Sequence, residues 1–293
     1  MRLDVTDAIV PGESNILAVR LENEPQSSRW YPGAGLYRNV HLVTTDELHF
    51  KGWGPFFTTP EVSASKAKVS VQAELEGFAR QNAICRTAIL DKDGFTVASV
   101  ESPVKAASFS QELIIDTPNL WSPKSPYLYK TVTQIYVDGR MTDEYAHAIG
   151  IRKIEFIDGV GFLLNGELTK FKGVSMHHDL GPLGAAVNKA AMRHQIQMLQ
   201  DMGCNAIRTA HNPPAPEYVE LCDEMGMMMM IEAFDEWKSA KLENGYHCDF
   251  DQWAEKDLVS IIHQYRNHPS VFLWSTGNEI CRVKEDLNEG LAE

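Results

Sequence analysis

No stretch of this 293-residue sequence holds the roughly 18 consecutive apolar residues of a membrane-spanning helix, so none is expected. Cations are scarce: 27 Lys and Arg stand against 40 Asp and Glu, for a formal net charge of −13. Nonspecific nucleic-acid binding needs cations to displace counterions from phosphate, so the charge argues against that class of partner. The acids are spread along the chain rather than gathered in a tail, which reads as solubility. The five cysteines (Cys85, Cys204, Cys222, Cys248 and Cys281) follow neither a disulfide framework nor metal-ligand spacing. Most are expected to be reduced and buried, as small hydrophobes. H-E-x-x-H, a G-x-S-x-G elbow and a Gly-rich phosphate loop are also missing, which argues against zinc hydrolysis, a serine nucleophile and dinucleotide binding. No signal peptide is read, because Met1 to Val5 run straight into strand-like sequence.

What is present changes character along the chain. Residues 1–44 read as strands, with Ile16–Leu21 after the turn Pro11-Gly12 and Asn39–Val43 alternating in and out. Between them, residues 28–38 place a proline, two glycines and three aromatics in one loop, a rigid, tightly turned surface that reads either as turn chemistry with packing or as a contact to a sugar or another domain. Two or three strands cannot make a stable sheet with its own core, so this segment reads as part of a larger domain. Residues 45–148 hold about seven short strands. Val69–Leu75 alternates cleanly, and Asp91–Gly94 and Asp138-Gly139 are hairpin turns, which points to an immunoglobulin-like β-sandwich.

From 149 to 293, after a hairpin at Phe162–Leu168, strands alternate with amphipathic helices. Phe171–Ser175, Asn205–Arg208, Met227–Ala233 and Val271–Trp274 read as strands. One helix is capped by Asn188, with Met192, Ile196, Leu199 and Met202 on a face, and Gly203 ends it. Another starts at Pro216 and stops at Gly226, and a third spans residues 251–266 with Trp253, Leu258, Ile261, Ile262 and Tyr265 inward. The four methionines 227–230 read as core. Four such units make half of a TIM (β/α)8 barrel, although a doubly wound sheet accepts the same alternation.

Residues just past each barrel strand line a single mouth, and here they are unusually polar. They are His177, His178 and Asp179, then Arg208, Thr209, His211 and Asn212, then Glu232, Asp235, Glu236 and Trp237, and finally Asn278 and Glu279. Leaving such groups buried and unpaired costs about 1–3 kcal/mol each, so a polar ligand is the economical explanation. Carboxylates and imidazoles that hold hydroxyls, beside a glutamate whose pKa burial can raise, suit glycoside hydrolysis.

At these residues the sequence resembles the family 2 glycoside hydrolases, the β-galactosidase and β-glucuronidase group. The carriers are Asn205–Pro213 with Leu221–Gly226, and Arg266–Glu279. The 28–38 loop, similar to the end of the family's sugar-binding jelly roll, favours the β-galactosidase branch. The resemblance implies three parts: the end of a jelly-roll β-sandwich (1–44), an immunoglobulin-like sandwich (45–148) and the N-terminal half of a catalytic barrel (149–293). It implies a retaining β-glycosidase acting on terminal β-D-galactosides, with Glu279 as general acid/base and Asn278 on the sugar 2-hydroxyl. His177 and His211 would line the sugar pocket, Arg208 would steady the nucleophile and Asp235 would make a further sugar contact. Some members bind magnesium through a Glu-x-His on strand three; here that run is Glu236-Trp237-Lys238, so no metal or other cofactor is expected. The nucleophile is expected beyond Glu279, which makes the chain a fragment, inactive alone. A β-glucuronidase, or a noncatalytic carbohydrate-binding or docking module, is the rival reading. A carbohydrate is the expected partner, without nucleic acid or membrane, and oligomerisation of a full-length enzyme stays open.

Overall fold

The computed structural model describes residues 2–30, 35–77 and 82–280. Four residues of the 28–38 loop (31–34) and Cys281 lie outside these. The first strand is the short β1 (His49–Phe50). Ile16–Leu21 and Asn39–Val43, expected as strands, are not strands here. A strand exists only by laddering to a neighbour, and no described residue supplies one. Their side chains accordingly stand in solvent, Ile16 at 93% exposure and Val43 at 77%.

A sandwich follows, built from β2 (Phe56–Val62), β3 (Lys66–Glu76), β4 (Ala83–Leu90), β5 (Thr96–Val104), β6 (Ser108–Asp116), β7 (Tyr129–Val137) and β8 (Arg140–Ile149). β3 pairs with β1, β2 and β6 in one sheet; the other runs β5-β4-β7-β8, all antiparallel. Alternation decides which side chains meet between the sheets: Ala67, Val69 and Val71 of β3 are fully buried against Ile89 and Leu113. Asp138 and Gly139 both take positive φ, the requirement of the tight turn joining β7 to β8.

Next come β9 (Ile154–Ile157), β10 (Gly161–Leu164) and β11 (Glu167–Leu168), an antiparallel trio that contains the expected hairpin. The βα units are β12 (Gly173–Met176), α1 (Lys189–Asp201), β13 (Ala206–Thr209), α2 (Pro216–Met225), β14 (Met228–Glu232), α3 (Phe250–Tyr265) and β15 (Val271–Ser275). Asn188 caps α1 by accepting from the Ala191 N–H, and Gly226 ends α2 in the left-handed conformation. Two expected inward residues point elsewhere. Met202 lies beyond the last turn of α1 at 75% exposure, and Trp253 is 40% exposed with Lys256 over its ring.

The four strands are parallel and adjacent in sequence order. All three helices pack on one face: Ile196 of α1, Leu221 and Cys222 of α2, and Ile261 and Tyr265 of α3 share a core with Ile207, Met229, Ile231 and Val271. A doubly wound sheet would reverse strand order and carry helices on both faces, so this is the first half of a barrel. The inner face begins at Ala206, Met228 and Phe272, where Phe162 and Leu164 of the hairpin plug the lower end.

The helix-stopping Asn267-His268-Pro269 docks the sandwich. Asn267 accepts from the Phe57 N–H at 2.9 Å and donates to the Pro55 carbonyl at 2.9 Å, while buried His268 pairs with Asp223 at 2.5 Å. His147 of β8 meets the His268 ring edge-on at 5.0 Å, and its Nε2 is buried without a protein partner among the described residues. Burial, helped by His268, pulls the His147 imidazole down to about 4. Unfolded, it takes a proton near pH 6.5; folded, it resists until about 4, so protons bind the unfolded chain preferentially between those values. Stability should therefore fall as pH drops from about 6.5 to 4, by up to about 1.4 kcal/mol per unit. Thermal melts across that range should show a shallower slope for His147→Leu than for the parent; parallel slopes refute it.

Candidate active site

The upper rim is built around one carboxylate. Glu232 ends β14 on the inner face and is fully buried. It accepts from Arg208 Nε and Nη2, both at 2.9 Å, from Ser275 Oγ at 2.6 Å, and from His211 Nδ1 at 2.5 Å. Four partners exhaust its lone pairs, so Glu232 organises the rim and offers nothing to a ligand. Burial pulls the His211 imidazole down against the opposing pull of Glu232.

Ser275 reaches Glu232 because the β14–β15 register slips. Met229 pairs with Val271, but Met230 pairs with Leu273, so β15 carries one extra residue. Val271 can thus pack under the helices while Ser275, an even number of residues later, turns inward beside Glu232. The turn to Asn278-Glu279 starts from that inward position.

Asn278 is buried at 8% exposure. Its Oδ1 accepts from Arg208 at 3.1 Å and its Nδ2 donates to Asp235 Oδ1 at 3.2 Å, which fixes the amide's orientation. Asp235 is gripped further by Arg29, through Nε at 2.9 Å and Nη2 at 2.6 Å, and by Lys241 at 3.2 Å. Burial pushes the Asp235 carboxyl up, but the hydrogen bonds from Arg29, Asn278 and Lys241 outweigh it and hold it below the usual range. Glu279 takes φ +57°, its side chain 38% exposed, with Oε2 3.2 Å from Lys241 Nζ.

His177 joins through rings. Trp30 lies 4.5 Å from the His177 ring and 5.3 Å from that of His211, and the two imidazoles meet edge-to-face at 5.5 Å. Arg29 sits over the Trp30 ring at 4.3 Å. Asn244 bonds the carbonyls of Pro25 and Gln26, so the N-terminal segment clamps the loop after β14.

Arg208, His211, Asp235 and Asn278 therefore form one hydrogen-bonded unit, with His177 and Glu279 attached through ring contact and Lys241. His178 faces away, its Nε2 on the Ala185 carbonyl and its ring against Tyr37. The sequence points to Glu232 as a rim acid without its central place, and to Arg29 and Trp30 only as part of the 28–38 loop, which here meets the rim; Lys241 and the inward turn of Ser275 have no such signal. One signal existed: Arg208 and Glu232 are opposite charges near the ends of successive apolar strands. A cleft of about 350 Å3 opens beside Asp235, but Asn278 and Glu279 do not line it, so the rim carries the candidate chemistry.

The Glu236 run does not suit magnesium. Glu236 Oε2 accepts from the Lys241 N–H at 2.7 Å, Oε1 accepts from the His247 N–H at 3.0 Å, and Lys238 puts an ammonium, paired with Asp251, where an imidazole ligand would stand. No cluster of three or more candidate metal ligands occurs among the described residues, and no described helix is long and apolar enough to cross a membrane.

Comparison with known proteins bears on this geometry. Residues 155–289 match the family model "Glycosyl hydrolases family 2, TIM barrel domain", and residues 54–152 match "Glycosyl hydrolases family 2". The chain is 44% identical over 291 residues to beta-galactosidase BoGH2A of Bacteroides ovatus, covering 97% of this chain and 34% of that protein. It is 39% identical over 280 residues to a putative beta-glucuronidase of Formosa agariphila, covering 95% and 27%. The crystal structure of a family 2 member from Bacteroides cellulosilyticus superposes with a TM-score of 0.92 at 39% identity, over 98% of this chain and 40% of that one. The chain thus spans about a third of the length of these relatives.

Proposed function

Because this chain belongs to glycosyl hydrolase family 2, we propose that the protein containing it is a retaining β-glycosidase that hydrolyses terminal β-D-galactosides. The observation that carries the reading is the fixed Asn278 amide beside the rim carboxylate Glu279. With Oδ1 held by Arg208 and one N–H spent on Asp235, Asn278 has one N–H without a partner among the described residues, placed to donate to a sugar hydroxyl. Glu279, one residue on, protonates the departing glycosidic oxygen and afterwards draws the proton from water. Retention requires a second carboxylate about 5–5.5 Å from the first, acting as nucleophile. Glu232, fully buried and fully bonded, does not meet that need, so the nucleophile is assigned to sequence beyond Glu279. The same reading gives Arg208 the task of steadying it, His177 and His211 the pocket wall, Asp235 a further sugar contact, and residues 1–44 the end of a jelly roll.

The identity to a beta-galactosidase favours galactose; that to a putative beta-glucuronidase makes glucuronate the second reading. Aryl β-galactoside and β-glucuronide should be offered to the full-length protein in parallel, with the first product anomer read by proton NMR. The expected result is faster galactoside cleavage and β-galactose formed first. An α first product removes the retaining mechanism, faster glucuronide cleavage moves the assignment to the second reading, and turnover by residues 1–293 alone refutes the placement of the nucleophile.

A further inference from the structure

The loop from β14 to α3 aligns three side chains that sugar chemistry leaves unused. Cys248 Sγ lies 3.4 Å from His247 Nε2, and His247 Nδ1 lies 3.2 Å from Glu236 Oε1. Glu236 is buried at 4% exposure and pinned by the backbone N–H groups of Lys241 and His247. Gly245 permits this closure, since a Cβ there would come within 1.9 Å of Glu236 Oε1. Of the four described cysteines, all free, only Cys248 is exposed, whereas Cys85 and Cys222 are buried and their thiols are pushed up by that burial.

A thiol attacks as its thiolate, so reactivity follows whatever removes the proton. Glu236 accepts the Nδ1 proton, which leaves His247 Nε2 as the base facing sulfur. This is the nucleophile, base and orienting group arranged in order. Cys248 also stands two residues before the first turn of the 16-residue α3, whose N-terminal field favours an anion.

We propose that Cys248 is a covalent-modification site, a thiol activated by His247 and Glu236 that takes soft electrophiles and peroxides. With an alkyl iodide, a sulfur–carbon bond forms, the carbon–iodine bond breaks, iodide leaves with the electron pair, and the thiol proton passes to His247. With a peroxide, sulfur bonds one oxygen and the O–O bond breaks. The other oxygen departs and collects the proton from His247; cysteine is oxidised to the sulfenic acid and the peroxide is reduced. Neither step depends on the glycosidase assignment.

The test uses iodoacetamide in pseudo-first-order excess on the full-length protein, quenched over time, with the Cys248 peptide followed by mass spectrometry. Cys248 should react about tenfold or more faster in the folded protein than in the same protein unfolded in urea, and His247→Gln should remove that advantage. The unfolded chain keeps the His-Cys neighbours but loses Glu236 and the geometry, while His247→Gln keeps the exposure. A folded rate equal to or below the unfolded one, or a His247→Gln rate equal to the parent's, overturns the proposal. Mere exposure, or cover by other parts of the protein, would give those results.

Discussion

Glu279→Gln in the full-length protein is expected to slow hydrolysis of an alkyl β-galactoside by about 10²–10⁴-fold. An alkoxide cannot depart without a proton, and the substituted amide has none to give. A dinitrophenyl galactoside releases a stable phenolate, so its first step should proceed nearly unimpeded and the galactosyl intermediate should then accumulate. Azide, a nucleophile that needs no base, should relieve that block and yield β-galactosyl azide. The rim geometry supports this assignment: Glu279 is 38% exposed on its side chain and follows the buried, doubly anchored Asn278. Equal losses on both substrates, or turnover unaffected by azide, would assign the proton transfer to another group.

Glu232→Gln should cost about 3–5 kcal/mol of barrel stability, because one partner of a buried charge cluster is removed and the others remain. The substitution keeps the volume, so no cavity is made. What changes is that an amide N–H₂ faces Arg208 and His211, and Arg208 loses its counter-charge with only 31% of its side chain in solvent. The barrel transition in calorimetry should drop by about 6–20 °C. At temperatures where the variant remains folded, activity should still be poor, since Arg208 also holds the Asn278 carbonyl oxygen. A melting point within a degree or two of the parent would show that the cluster is not what ties β13, β14 and β15 together at the rim.

Much of the architecture could be read without coordinates. The period of apolar residues, the Asn188 cap, the Gly226 stop and the four methionines announced the βα units, because each is a local property of a few neighbouring residues. The choice between barrel and doubly wound sheet was not local. It depended on Ile196, Leu221 and Ile261 of three separate helices covering the same face. The expected strands at Ile16–Leu21 and Asn39–Val43 failed for the complementary reason: alternation makes a strand possible, but only a laddering neighbour makes it one.

For the site, the sequence alone determined which side chains could crowd the strand ends, since strand periodicity and the barrel's single mouth leave little freedom there. Arg208, His211, Asp235, Asn278 and Glu279 were all within its reach. Only the tertiary structure decided how they connect. The extra residue in β15 swings Ser275 inward, Glu232 joins β13 to β15, and Arg29 arrives from 206 residues away to grip Asp235. Hydrogen bonds and ion pairs act through space at about 3 Å, a separation that spacing along a chain does not encode.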